Sequence, residues 1–258
     1  LDNLGIKFIE ARGIDGKNIS DLSLEEAKSI KKRLDKRGFR FSALGSPIGK
    51  IMITDEFESE LAKFKHTIEL AKIFDTDIIR MFSFYIPEGE EPEKYRDEVL
   101  KRLSKYVKAA KGTGIKLYHE NERSIYGDTD DRCLDILESI GAENMSATFD
   151  PANFVLCGVD TKRAVKLLLP YVKYLHIKDA ILETKEIVPS GYGEGNIEFV
   201  LKTVRDAGYK GFVSLEPHLA NFSGHDALEK DSIKLANGDS KAKFTLAYNC
   251  LKNIIERL

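Results

Sequence analysis

The chain of 258 residues has no tryptophan and only three cysteines. Cys133, Cys157 and Cys250 are far apart and form no C-x-x-C pair. That argues against a disulfide framework and fits a reducing, cytoplasmic compartment. No apolar run approaches the roughly 18 residues a membrane span needs. No basic start followed by an apolar core marks a secretory signal either. An excess of one charge is also lacking: 40 basic against 42 acidic residues leave a formal net charge of −2. No global basic field is present to recruit nucleic acid or an anionic membrane. The chain opens on Leu1 rather than Met, and the reading is that its true N-terminus lies upstream. What is present is 42% hydrophobic and 32% charged residues. That is enough to bury a core of one large α/β barrel or two small domains.

Strand and helix patterns alternate along the whole chain. Strands are expected at Lys7–Arg12, Phe39–Ser46, Asp77–Phe84, from Lys116, from Met145, from Val172 and over Gly211–Pro217. Helices are expected between them, the first begun by Ser23 and Glu26 at capping-box spacing, others near Glu56–Phe74, Tyr95–Lys111, Thr129–Ile140, Thr161–Leu169 and Ile197–Ala207. A last helix is expected near Ser240–Arg257. Strict alternation with short connections implies parallel strands joined by right-handed crossovers. A closed barrel of this type has eight strands, and this pattern gives seven. Leu1–Gly5 reads as the tail of a helix stopped at a glycine. The expectation is therefore a single (β/α)8 TIM-barrel domain over residues 1–258. Its first strand and most of its first helix would be missing from the chain.

Four of the predicted strands end in groups able to bind a metal or move protons. Lys116-Leu-Tyr-His-Glu-Asn-Glu122 ends in a His/Glu cluster, and Met145-Ser-Ala-Thr-Phe-Asp150 in a carboxylate. Val172-Lys-Tyr-Leu-His176 ends in an imidazole, and Phe212-Val-Ser-Leu-Glu216 in another carboxylate. Side chains alternate across a strand. Placing Glu120, Asp150, His176 and Glu216 inward puts Tyr118, Thr148, Tyr174 and Ser214 with them, and the aliphatic neighbours outward. The C-terminal strand ends are where such barrels carry their sites. Carboxylates gathered without a cation would repel one another. One His with three carboxylates suits Mn²⁺, Co²⁺ or Mg²⁺, with Zn²⁺ also allowed. By the same parity His119 faces the helix layer, in a hydrogen-bonded packing role.

In this order the motifs His119-Glu-Asn-Glu122, Asp150-Pro-Ala-Asn-Phe154, Leu175-His-Ile-Lys-Asp179, Gly191-Tyr-Gly-Glu-Gly195 and Leu215-Glu-Pro-His218 resemble those of the xylose isomerase-like sugar phosphate isomerase/epimerase superfamily. The resemblance runs from about Lys7 onward and implies an eight-stranded barrel holding one divalent metal ion. Carried over residue by residue, it places the metal ligands on Glu120, Asp150, His176 and Glu216. Glu120 and Glu216 would also be the acid/base pair of an isomerase or epimerase. The substrate would be a sugar, sugar phosphate or related polyol, passing through an ene-diolate. One departure is Asn153, where many members carry a histidine: an amide can position a hydroxyl but cannot relay a proton near neutral pH.

Glu10, Arg80, Glu122, Asn153, Lys178 and His218 are the candidate substrate-binding residues. Glu10, Arg12 and Arg80 lie on other strands that reach the same mouth. A structural ion pair competes with substrate binding for Glu10 and Arg80, and a salt bridge to Asp179 or Glu122 competes for Lys178. Gly191–Gly195 precedes a helix and offers backbone N–H groups to an anion, but Glu194 argues for a flexible loop instead. His66 and His225 read as solvated. A metal-dependent dehydratase is the alternative on the same scaffold, and a non-catalytic sugar-binding barrel a further one. An endonuclease needs more histidines than the five present. The expected partner is a small carbohydrate, with neither nucleic acid nor membrane. A homodimer is one option for the assembly.

Overall fold

The computed structural model describes residues 1–219 and 240–258; His225 lies outside them. Seven strands form one sheet: β1 (Phe8–Ala11), β2 (Arg40–Gly45), β3 (Ile78–Met81), β4 (Lys116–Glu120), β5 (Met145–Phe149), β6 (Val172–Ile177) and β7 (Phe212–Leu215). They are hydrogen-bonded in chain order. The registered pairs are all parallel. Around them run α1 (Leu24–Asp35), α2 (Glu58–Phe74), α3 (Arg96–Ala110), α4 (Asp130–Ile140), α5 (Pro151–Leu156), α6 (Thr161–Leu168), α7 (Ile197–Asp206) and α8 (Ser240–Arg257). No helix among the described residues is long and apolar enough to cross a membrane.

The chain divides into two compact units, one of Leu1–Thr148 with Tyr171–Lys173, the other of Phe149–Pro170 with Tyr174–Leu258. In the first, Ser23 and Glu26 close the predicted capping box at the start of α1. This satisfies two helix N–H groups that would otherwise lack acceptors. The aromatic rings of Phe57, Phe64, Phe84 and Tyr106 pack between α2 and α3, with Phe64 4.7 Å and Phe57 5.3 Å from Tyr106. His66 is not simply solvated, because its Nε2 lies 2.7 Å from the Leu22 carbonyl oxygen.

A second tier lies beyond the ends of β2 and β3. Phe82 and Phe84 donate to the carbonyls of Ile48 and Gly49, Tyr85 donates to Ile51, and Ile53 donates back to Tyr85. Tyr85 also bridges to Met52 and Ile125. Gly49 is needed here: its φ is +85°, and an added Cβ would stand 2.1 Å from the Phe82 carbonyl oxygen. The buried Glu60 carboxylate accepts from the Gly49 N–H at 2.8 Å. The fully buried Phe84 holds a left-handed φ of 67°, a conformation bulky residues avoid unless their surroundings impose it.

The second unit contains α5, which periodicity did not reveal. Six residues are too few for an apolar stripe to repeat. Its start is nonetheless encoded, since Asp150 caps it by accepting from the Asn153 N–H at 3.0 Å and Pro151 fills the first turn. Proline suits that position because its missing N–H would have been unpaired.

Candidate metal centre

Asp150 and His176 have no exposed surface, and Glu216 keeps 11% of its side chain exposed. One ligand atom from each lies within 4.8 Å of the others. Asp150 follows β5 directly, His176 is the penultimate residue of β6, and Glu216 follows β7. The parallel register sets Ser214 opposite His176, so Glu216, two residues on, shares its face. The Lys178 ammonium stands 2.8 Å from Asp150 Oδ2 and 4.0 Å from Glu216 Oε2. It meets Asp150 rather than the sequence-level alternatives Asp179 or Glu122. His218 Nε2 lies 3.6 Å from Glu216 Oε2, and His176 Nδ1 lies 3.8 Å from Glu216 Oε1. The Tyr174 ring stands edge-on to His176 at 5.7 Å. Two carboxylates and an imidazole, two of the three fully buried, form an oxygen-rich donor set with one borderline nitrogen, chemistry suited to a divalent ion.

The first unit contributes a different cluster at the strand ends. Arg80 Nε lies 3.1 Å from Glu120 Oε2 and 3.5 Å from Glu10 Oε1, with all three side chains at least 96% buried. Arg80 also donates to the Ser46 carbonyl at 2.9 Å and rests 4.6 Å from the centre of the Phe82 ring. Glu10 and Arg80 are thus joined as the ion pair that the sequence left open. Glu122 meets Lys50 at 3.0 Å, a lysine that no sequence motif marks. Asn153 is buried on α5, beside its cap Asp150.

His119 is buried on β4, its Nε2 2.9 Å from Ser83 Oγ, which also accepts from the Gly127 N–H at 2.8 Å. Its Nδ1 meets no hydrogen-bond partner among the described residues. Burial alone brings its pKa down to about 3, so the ring is neutral at physiological pH. The unfolded chain takes up a proton near pH ~6.5, whereas the folded His119 does so only near 3. This group therefore withdraws stability as pH falls through that interval. His119 ring resonances are expected to hold their neutral positions from about pH 8 down to about pH 4 in an NMR titration. A midpoint near that of a free histidine would contradict the buried placement.

The Gly191–Gly195 loop does meet an anion, one of the chain's own. The fully buried Asp179 carboxylate accepts from the N–H groups of Gly191, Gly193, Gly195 and Ala180, at 2.8–3.1 Å. Burial pushes the Asp179 carboxyl up and these bonds pull it down, with a net rise. A Cβ on Gly193 would lie 2.5 Å from Asp179 Oδ1, which is why glycine stands there. Only the folded loop reveals this acceptor; the sequence signal was Asp179 followed by three alternating glycines.

A family model described as xylose isomerase-like TIM barrel matches residues 1–237. The chain belongs to this family. Among curated relatives, uncharacterized protein MJ1311 of Methanocaldococcus jannaschii is 28% identical over 159 residues, 59% of this chain and 54% of that protein. The match thus spans about half the relative's length. Three solved structures share the fold. A D-tagatose 3-epimerase-like protein has a TM-score of 0.72 at 21% identity, covering 91% of this chain and 84% of its own. The probable 3-DHS dehydratase AsbF of Bacillus anthracis has 0.74 at 18%, covering 99% and 91%. A xylose isomerase-like TIM barrel protein of Mycobacterium smegmatis, in complex with magnesium, has 0.70 at 18%, covering 99% and 84%. These likenesses show a shared fold, the TIM barrel that the family model describes.

Proposed function

We propose that this protein is a divalent-metal-dependent isomerase or epimerase of a sugar or related polyol. The observation that carries the reading is the convergence of Asp150, His176 and Glu216 from three strand ends. Glu120 would be the fourth ligand. It ends β4 opposite Thr148, two residues before Asp150. The magnesium complex of the M. smegmatis protein supports a hard ion in this fold.

When bound, such an ion polarises a substrate carbonyl and eases the build-up of negative charge beside it, an effect worth several kcal/mol. The chain's own residues do the rest. A carboxylate oxygen of Glu120 or Glu216 takes the proton from the carbon next to the carbonyl, and the other glutamate returns one. A positioned acid/base group contributes about 10²–10⁴-fold. The Arg80 guanidinium fixes the Glu120 carboxylate against Glu10. Lys178, 2.8 Å from Asp150, would donate to a substrate oxygen while it neutralises that carboxylate.

The test is turnover of a panel of keto-sugars and inososes in D₂O with Mn²⁺-loaded protein, read by NMR. Deuterium is expected at the reacting carbon. Turnover without exchange would remove both glutamates from these roles. Products that have lost water would instead favour a dehydratase, the activity named for the AsbF fold neighbour.

A further inference from the structure

We propose that Lys50, paired with Glu122, is the specificity element of this site, and that the pair selects an uncharged polyhydroxy substrate over its phosphate or carboxylate derivative. The inference rests on the function proposed above.

Lys50, Tyr85 and Glu122 lie on the segments that leave β2, β3 and β4, three neighbouring strands of the sheet. In a TIM barrel those ends form the mouth of the site. The segment carrying Lys50 is held in place. Glu60 holds the Gly49 N–H, and the backbone bonds from Phe82, Phe84 and Tyr85 fix its course. Glu122 is oriented as well, since its Oε1 accepts from the Arg123 N–H at 2.9 Å while its Oε2 faces Lys50 at 3.0 Å. Both side chains are partly open, at 24% and 21% exposure. A ligand can therefore reach them. Tyr85 stands close enough that the Glu122 charge adds to the burial that raises its phenol pKa.

The charge pattern decides which ligand suits this shelf. Lys50 is matched by Glu122 and lies 4.1 Å from the centre of the Phe82 ring. Arg80, which rests on the same ring, is matched by Glu120 and Glu10. An arriving phosphate would have to compete with a fixed carboxylate for either cation, at the cost of like-charge repulsion. A hydroxyl avoids that conflict. The carboxylate oxygens can accept its proton, and the ammonium has three N–H groups to share with its oxygen. A matched Lys/Glu pair can thus grip two hydroxyls of one polyol with both charges still paired.

The experiment is calorimetric titration of Mn²⁺-loaded protein with a ketohexose and with its 6-phosphate. The neutral sugar is expected to bind at least about tenfold more tightly. Glu122→Gln leaves Lys50 without its matching charge and should move the ratio about tenfold toward the phosphate. Lys50→Met should move it the other way. Opposite shifts from two neighbouring substitutions are a signature that general loosening of the loop does not produce. Tighter binding of the phosphate by the unaltered protein would overturn the selectivity. If Arg12→Ala then abolished that binding, the anion would belong to Arg12, which is exposed beside Gly45. Equal ratios in all proteins would overturn the role of the pair. Metal binding with no affinity for either sugar would overturn both this inference and the sugar-converting reading beneath it.

Discussion

Glu216→Gln is expected to abolish turnover while the protein stays folded. Glu216 lies just past β7 with its side chain slightly open, and glutamine keeps its shape. The loss should reach about 10²–10⁴-fold in kcat, the range for removing a positioned acid/base group. Metal affinity separates this from a simple structural defect. A ligand at a hundred times its Kd raises stability by about 2.7 kcal/mol, and added Mn²⁺ should raise the thermal midpoint of the unaltered protein accordingly. In the variant that rise should shrink or vanish, with the midpoint in the absence of metal nearly unchanged. Undiminished activity would sink the assignment of Glu216. No Mn²⁺-dependent rise in the unaltered protein would sink the metal centre itself.

Asp179→Ala is expected to be the most damaging substitution for stability. It would strip the acceptor from four backbone N–H groups, of which those of Ala180 and Gly195 are buried. Each donor left buried without a partner costs ~1–3 kcal/mol. Water can reach some of them once the side chain is gone, so a net loss of about 3 kcal/mol is expected. For a chain of this size that lowers the thermal midpoint by roughly 6–12 °C. Metal affinity should fall as well, because Gly195 packs against Pro151, the residue after Asp150. Asp179→Asn provides the comparison. It keeps one acceptor but turns an NH₂ group toward N–H donors, and should recover only part of the stability. Calorimetric unfolding of the three proteins checks the order. An Asp179→Ala protein as stable as its parent would show that the carboxylate does not organise the loop.

The candidate ligands were legible because an apolar run that stops at a carboxylate or imidazole marks a strand leaving the core at a polar group. Asp150, His176 and Glu216 each end such a run, and two-residue alternation assigned their direction. Most helices were legible because burial on one side imposes a period, and the strands, buried on both faces, as short apolar runs alternating with them. The supporting contacts were not. Lys50 and Glu122 are 72 residues apart and meet only because β2, β3 and β4 are neighbours. Glu60 reads in sequence as an ordinary acidic residue in the first turn of α2. It becomes a buried acceptor only when Gly49 is brought to it. Gly191–Gly195 read as a flexible loop, whereas its backbone N–H groups close on a carboxylate of the same chain. Their partner was hidden because Asp179 looked like part of a strand-end motif. Parity could not tell whether Lys178 served Asp150, Asp179 or Glu122, because long flexible side chains reach several neighbours.

The edge-on contact between Tyr174 and His176 has an optical consequence. Tyr174 is 1% exposed and its ring centre lies 5.7 Å from that of the imidazole. The chain has ten tyrosines and no tryptophan, so no indole emission hides the phenols or drains their excitation. A paramagnetic ion held by His176 would sit beside one of those emitters. The candidate centre therefore carries its own fluorescent reporter, readable without a label.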